Sequence, residues 1–291
     1  MHESSLKFFK CPRCGSILDV TILWQTAEID EGFLDCDICS LRFPIIGKIP
    51  ILWDDFARYI SERVILGGRL FQMAKHPSMR KFLKSSLLSK SKVPLDRTLL
   101  EDRWSGIYQQ SRKSRFYSVI RQEIDSIMSS GTALEYGSSV GIMSGYLSRV
   151  YHQVFGMDRS FAALSVAKKS WMPNVDFAVA DFMSMAFGKI KFNLVLALNV
   201  LELVEPIPFL QQVSGYVCRG GYLVLSDPYD FERGKHRVSS LDSKTVRSSL
   251  RNLGFTIRKN TKDPSYISWN LRINERATLM YKNDLVISKM R

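Results

Sequence analysis

Four cysteines come in two close pairs, CPRC at Cys11 and Cys14 and CDIC at Cys36 and Cys39. The spacing is C-x2-C-x21-C-x2-C. Each pair brings two thiolates within reach of one ion. Two such turns on facing hairpins complete a tetrahedral all-thiolate site, which suits zinc. Either pair alone would also read as a redox dithiol, and four unrelated buried cysteines are the plain alternative. A closed four-thiolate site has no open coordination position, so it predicts a structural metal. A second set of chemistry-bearing residues lies in mid-chain. LEYGSSVG puts Glu135, Gly137, Ser139 and Gly141 at a strand-to-helix turn. Asp158 follows 21 residues after Gly137, Asp181 another 23 on with Phe182 beside it, and Asn199 ends LALN.

The dinucleotide fingerprint needs glycines at i, i+2 and i+5. Counted from Gly137, the later two places hold Ser139 and Ile142, so that fingerprint fails. The loop that wraps S-adenosylmethionine has the pattern (D/E)-x-G-x-G-x-G. Glu135, Gly137 and Gly141 fit it and Ser139 departs from it. Glycine at the middle place lets backbone approach a cofactor, sometimes with φ above zero. Serine is expected there with φ below zero, its hydroxyl within reach of the cofactor. An acid at a second strand end accepts from ribose hydroxyls (Asp158). One at the third accepts from an adenine amine (Asp181), beside an apolar wall (Phe182). Asn199 is expected beneath the loop. Taken singly, Gly141 also reads as a tight turn and both aspartates as helix N-caps.

The elements that must hold these residues alternate. TALEYG, HQVFGMD, VDFAVAD, FNLVLALNV and GGYLVLSDPYD read as strands. SGYLSRVY, FAALSVAKKSW and PIPFLQQVSGYVC read as helices between them. Such alternation predicts a parallel sheet covered on both faces. GFTIRKN and DLVISKM close it, separated by a long insert. Ahead of the first strand, RWSGIYQQSRKSRFYSVIRQEIDSIMSS (103–130) has helical spacing, and residues 55–90 read as basic helices broken by Gly67-Gly68 and Pro77. In order and at strand ends, these acids and glycines resemble the class I S-adenosylmethionine-dependent methyltransferase fold. The resemblance covers roughly residues 103–230 plus the closing strands. It implies an α/β, Rossmann-like seven-stranded sheet and S-adenosylmethionine as cofactor.

The stretch after the second cysteine pair carries Phe43, Pro44, Ile45, Ile49, Pro50 and Leu52. These resemble the small zinc-ribbon family that activates methyltransferases as a separate subunit, with Lys48 where that family has glycine. Three regions are therefore expected: a zinc ribbon at 1–54, a basic helical linker at 55–102 and a methyltransferase domain at 103–291.

Methyl transfer from a sulfonium asks mainly for an aligned, dry nucleophile. A base is needed only if the acceptor arrives protonated. Catalytic candidates are Asn199 and, in SDPYD, Asp227 and Tyr229, with Asp230 as a further acid. The insert carries Trp269, Leu271, Arg272 and Arg276, which resemble methyltransferases of histidine-derived small molecules, where arginine clamps a carboxylate. Trp104 and Tyr108 are expected either as a lid or as packing. A small-molecule acceptor is favoured.

Charge supplies a rival. Residues 56–121 carry 15 basic and 4 acidic residues, and 232–291 carry 14 and 5. Such blocks suit RNA phosphates or an anionic surface, or are simply solvated. The ribbon, with 5 basic and 9 acidic residues in 1–55, argues against RNA. A scaffold that has lost its cofactor is a third reading. The N-terminus lacks a signal-peptide pattern and the cysteines are used in pairs, so a cytoplasmic location is expected.

Overall fold

The structure, a computed structural model, describes residues 1–88, 96–127, 130–170, 172–229 and 241–291. Asp230 lies outside them. The chain divides into two compact units. One comprises Met1–Gly106, Ser139–Gly141 and Met157–Ile190, the other Ile107–Ser138, Ile142–Gly156 and Lys191–Arg291.

In the first unit, β1 (Asp19–Gln25), β2 (Ile29–Cys36), β3 (Leu41–Ile46) and β4 (Ile49–Leu52) form an antiparallel meander. The turn between β3 and β4 is two residues, Gly47 and Lys48, with φ of +55° and +71°. Mirror-image hairpin turns need positive φ at both places, because only then does their twist match the strands. That is why a glycine suits the Lys48 position; lysine holds it with its ammonium 3.3 Å from Glu28. β4 then runs parallel to β7 (Val175–Ala180), Ile51 opposite Val179 and Leu52 opposite Ala180. The meander's last strand therefore extends the sheet that contains β7.

Three helices follow: α1 (Phe56–Ser61), α2 (Val64–Met73) and α3 (Pro77–Leu88). The expected break at Gly67-Gly68 is absent; α2 runs through it. A Cβ on Gly67 would sit 2.5 Å from Leu87 Cδ2, so the glycine is a contact point for α3. Pro77 opens α3, where a missing N–H is harmless. The helical spacing over 103–130 is realised as two helices, α4 (Thr98–Gln110) and α5 (Arg115–Asp125).

The second unit holds β5 (Thr132–Tyr136), α6 (Ile142–Leu147), β8 (Phe192–Leu198), α8 (Pro206–Gly215), β9 (Val217–Asp227), α9 (Ser243–Asn252), β10 (Phe255–Ile257), β11 (Ile267–Arg272) and β12 (Thr278–Met290). β6 (Gln153–Asp158) starts here and ends in the first unit, where α7 (Phe161–Lys168) follows it. β5, β8 and β9 are parallel, and β12 pairs antiparallel with β9 on one side and with β10 and β11. The fold is mixed α/β, with twelve strands among the described residues rather than seven. The N-terminal meander and β11, which lies inside the expected insert, account for the additional strands.

Candidate active site

The first unit contains the middle of the glycine loop. Ser139 has φ of +48° and Gly141 +73°. The expectation of negative φ at Ser139 is corrected: the middle place keeps the left-handed backbone that glycine normally serves. For a residue with a Cβ this costs roughly 1–2 kcal/mol. The reason it holds is Asp158, at the carboxyl end of β6, whose Oδ2 accepts from the Ser139 N–H at 2.9 Å. Oδ1 accepts from the Ser160 N–H at 2.8 Å. Burial pushes the Asp158 carboxyl up to about 6 despite those bonds. Gly141 is required on space as well as φ, since a Cβ would lie 2.8 Å from Ala167 Cβ on α7. Asp181 is exposed just past β7 and accepts from the Met183 N–H at 2.9 Å; Phe182 beside it is buried.

The second unit contains Glu135, Gly137, Asn199, Asp227 and Tyr229. Glu135 is buried near the end of β5 and accepts from Ser144 Oγ at 2.5 Å. Gly137 has φ of +65°. Asn199 follows β8 with φ of +56°, its N–H donating to Ser226 O at 2.6 Å. Both polar atoms of its side chain are buried without a hydrogen-bond partner. Buried amides are nearly always satisfied, so an orphan of this kind at a strand end fits a ligand group.

Asp227 ends β9, fully buried. Burial pushes its carboxyl up to about 7, though it accepts from the Tyr229 N–H at 2.9 Å. Tyr229 has φ of +53°, and its hydroxyl donates to Asp284 Oδ2 at 3.0 Å. Asp284 is gripped by Arg247 through Nη1 at 2.5 Å and Nη2 at 3.0 Å, and by the Ser265 N–H at 2.9 Å. Tyr229 is thus engaged with a buried ion pair, and its ring position is set by Asp284. Sequence reading missed Arg247 and Asp284; a lone arginine in a polar helix and an aspartate at the start of an apolar run give little signal. Trp269 and Leu271 are buried and pack in the core, Trp269 against Phe116 at 4.9 Å and Tyr108 at 5.7 Å. Arg272 and Arg276 are exposed.

The Sγ atoms of Cys11, Cys14, Cys36 and Cys39 lie within 4.8 Å of one another, Cys14 and Cys36 at 3.6 Å. None is in a disulfide. Thiolates about 2.3 Å from one tetrahedral ion stand a little under 4 Å apart, so the cluster fits a four-coordinate metal.

Residues 134–225 match the model of the methyltransferase domain family. That segment is similar to a methyltransferase domain. The match, under half of the chain, begins at the last strand before the glycine loop and runs to the end of β9. No curated protein matches the sequence. Among solved structures, the chain resembles magnesium protoporphyrin IX methyltransferase of Synechocystis PCC 6803 with bound SAH, at 16% identity over 65% of this chain and 94% of that one, TM-score 0.48. It also resembles a chain from the complex between the Haloferax volcanii Trm112 methyltransferase activator and its candidate methyltransferase, at 15% identity over 65% and 96%, TM-score 0.49. A third is the DhpI-SAM-HEP complex, at 15% identity over 68% and 99%, TM-score 0.47. Likenesses this loose do not extend to cofactor or acceptor. No helix among the described residues is long and apolar enough to cross a membrane.

Proposed function

We propose that the enzyme transfers the methyl group of S-adenosylmethionine to a nucleophilic N, O or S of a small molecule by in-line displacement. The observation that carries this is the span of the family match, which takes in the loop Gly137–Gly141 and the strand ends Asp158, Asp181 and Asn199. S-adenosylmethionine, when bound, supplies a sulfonium methyl group. The chain's contribution is binding and alignment. Glu135, Gly137, Ser139 and Gly141 would hold the amino-acid end, Asp158 the ribose, and Asp181 with Phe182 the adenine. Asn199 would satisfy its orphaned amide on the ligand. Each oxygen of Asp158 keeps a second lone pair beyond its backbone bond, which suits hydroxyl donors. Asp227, with its carboxyl near 7, is poised to take a proton from an acceptor that arrives protonated.

Cys11, Cys14, Cys36 and Cys39 would hold a structural zinc, and 1–54, 55–102 and 103–291 remain the regions we assign to ribbon, linker and methyltransferase. The test is calorimetry with S-adenosylhomocysteine, followed by labelled-methyl transfer against metabolite extract, protein and total RNA. Saturable binding is expected, with label entering the metabolite fraction; absence of binding at high micromolar concentration would return the scaffold reading. The basic blocks favour one alternative, an RNA acceptor, and label in RNA with salt-dependent binding would establish it.

A further inference from the structure

The helices expected as a basic linker reach the turn that follows Asp158. Tyr59 on α1 is 1% exposed, and its hydroxyl donates to Arg159 O at 3.0 Å. The same oxygen accepts from the Phe161 N–H at 3.3 Å. Tyr59 and this turn both belong to the first unit, though they stand 100 residues apart in sequence. Phe161 is the first residue of α7, and the first N–H groups of a helix have no partner within it. Ser160 Oγ takes the Ala163 N–H at 3.2 Å, which leaves the Phe161 N–H to the phenol. Asp158 grips the turn from its other side, since its Oδ1 takes the Ser160 N–H at 2.8 Å. The three residues 159–161 are thus held between one carboxylate and one phenol.

The phenol is itself held. Arg63 is 0% exposed, with its guanidinium carbon 4.2 Å from the Tyr59 ring centroid. Its Nη1 donates to Tyr59 O at 3.2 Å. Glu101 on α4 clamps it, accepting at one oxygen from Nε at 3.0 Å and from Nη2 at 2.7 Å. A buried charge persists only where it is paired and hydrogen-bonded, and that pairing leaves Arg63 little freedom. The ring stacked on it is confined in turn, with Trp53 5.0 Å away. Burial pushes the Tyr59 hydroxyl above its ordinary value, so it keeps the proton it donates. Groups that meet a ligand must be kept within about 0.5 Å of their working geometry by neighbours whose own rotamers are locked. Asp158 has such a neighbour in Tyr59, one turn removed.

We propose that Tyr59 is a positioning residue of the cofactor site: through the turn 159–161 it aims the Asp158 carboxylate at the vicinal diol of a ribose, and Arg63 with Glu101 locks its ring. This rests on the cofactor reading above, in which Asp158 takes the ribose. The test is a double-mutant cycle on the full chain, read by calorimetry with S-adenosylhomocysteine. Tyr59→Phe keeps the ring and removes only the hydroxyl. It should weaken binding about tenfold in the wild-type background and less than twofold in the Asp158→Ala background, because groups acting through one contact are not additive. Unchanged affinity in the wild-type background, or the same loss in both, overturns the proposal; a merely structural role would give the second result. If Tyr59→Phe does not fold, Glu101→Gln decides by the same cycle, with about threefold expected in the wild-type background and none in the other. S-adenosylhomocysteine failing on the wild-type chain would sink the cofactor reading instead. Amide exchange then still reports on the turn: Tyr59→Phe should speed exchange of the Ser139 and Ser160 N–H groups at least tenfold, and unaltered rates would show that the phenol does not fix the carboxylate.

Discussion

Two turns of the first unit depart from their family patterns in the same way. The hairpin turn between β3 and β4 has Lys48 at φ +71°, and the glycine loop has Ser139 at φ +48°. Each stands where the resembling family has glycine. In neither has the substitution changed the backbone demand; the left-handed conformation stays and the side chain endures it. What differs is how each is held. Ser139 is fixed through its backbone, by a carboxylate that is buried against its own ionisation. Lys48 is fixed through its side chain, by Glu28, whose carboxyl is held below its ordinary value by Lys168 and the N-terminal ammonium in spite of burial. A motif glycine is thus a statement about φ first and about residue type second.

The largest separation of the two turns should come from Cys36→Ser. Loss of one thiolate is expected to release the metal and melt the ribbon with the Lys48 turn, since metal-binding energy is folding energy in such sites. Zinc content and amide exchange measure it; full metal retention would remove the all-thiolate site. Asp158→Ala acts on the other turn. S-adenosylhomocysteine affinity should fall about 10- to 100-fold, the range for a charge-assisted bond, with zinc content unchanged. Unaltered affinity would show that Asp158 does not touch the cofactor.

A pH series sharpens the contrast through sign. The folded carboxyl of Asp158, near 6, lies above the ordinary carboxylate value of about 4. The folded state therefore holds the proton more tightly, and stability from this group falls as pH rises from about 4 through 6. Asp158→Asn removes this titration, so its unfolding free energy relative to the wild type should become more favourable to the folded state from pH 4 to pH 8, by on the order of 1–3 kcal/mol. Glu28 has the opposite sign: its folded value is lowered, so its contribution is present above the unfolded value and lost as pH falls through the folded one. Glu28→Gln should destabilise at pH 7 and little in acid. Parallel slopes for the two variants would erase the distinction. The smallest effects belong to glycine itself. Ser139→Gly should stabilise by about 1 kcal/mol, and Lys48→Gly by less, because relief of the backbone is offset by loss of the Glu28 contact. Urea midpoints resolve both.

Much of this was readable in the sequence because it is periodic or spaced. The cysteine pairs converge as their spacing requires, and the strands at 132–136, 153–158, 175–180 and 192–198 follow apolar runs bounded by turns. What was hidden depends on contacts distant in sequence. Gly67-Gly68 reads as a breaker until Leu87 is seen against it. The alternation in ISWNLR is too short to declare β11 without β12 as its neighbour. The sign of φ at Ser139 is set by Asp158, 19 residues away.

The pairing of Ile51 with Val179 bears on how the chain can be cut. β7, VDFAVA, is buried at every residue. Removing the first fifty or so residues would strip the neighbour from that apolar strand and bare a row of amides and carbonyls. Such a truncation invites self-association between copies. The N-terminal module thus acts as a permanent cover for a sticky border, which ties its presence to solubility whatever else it recruits.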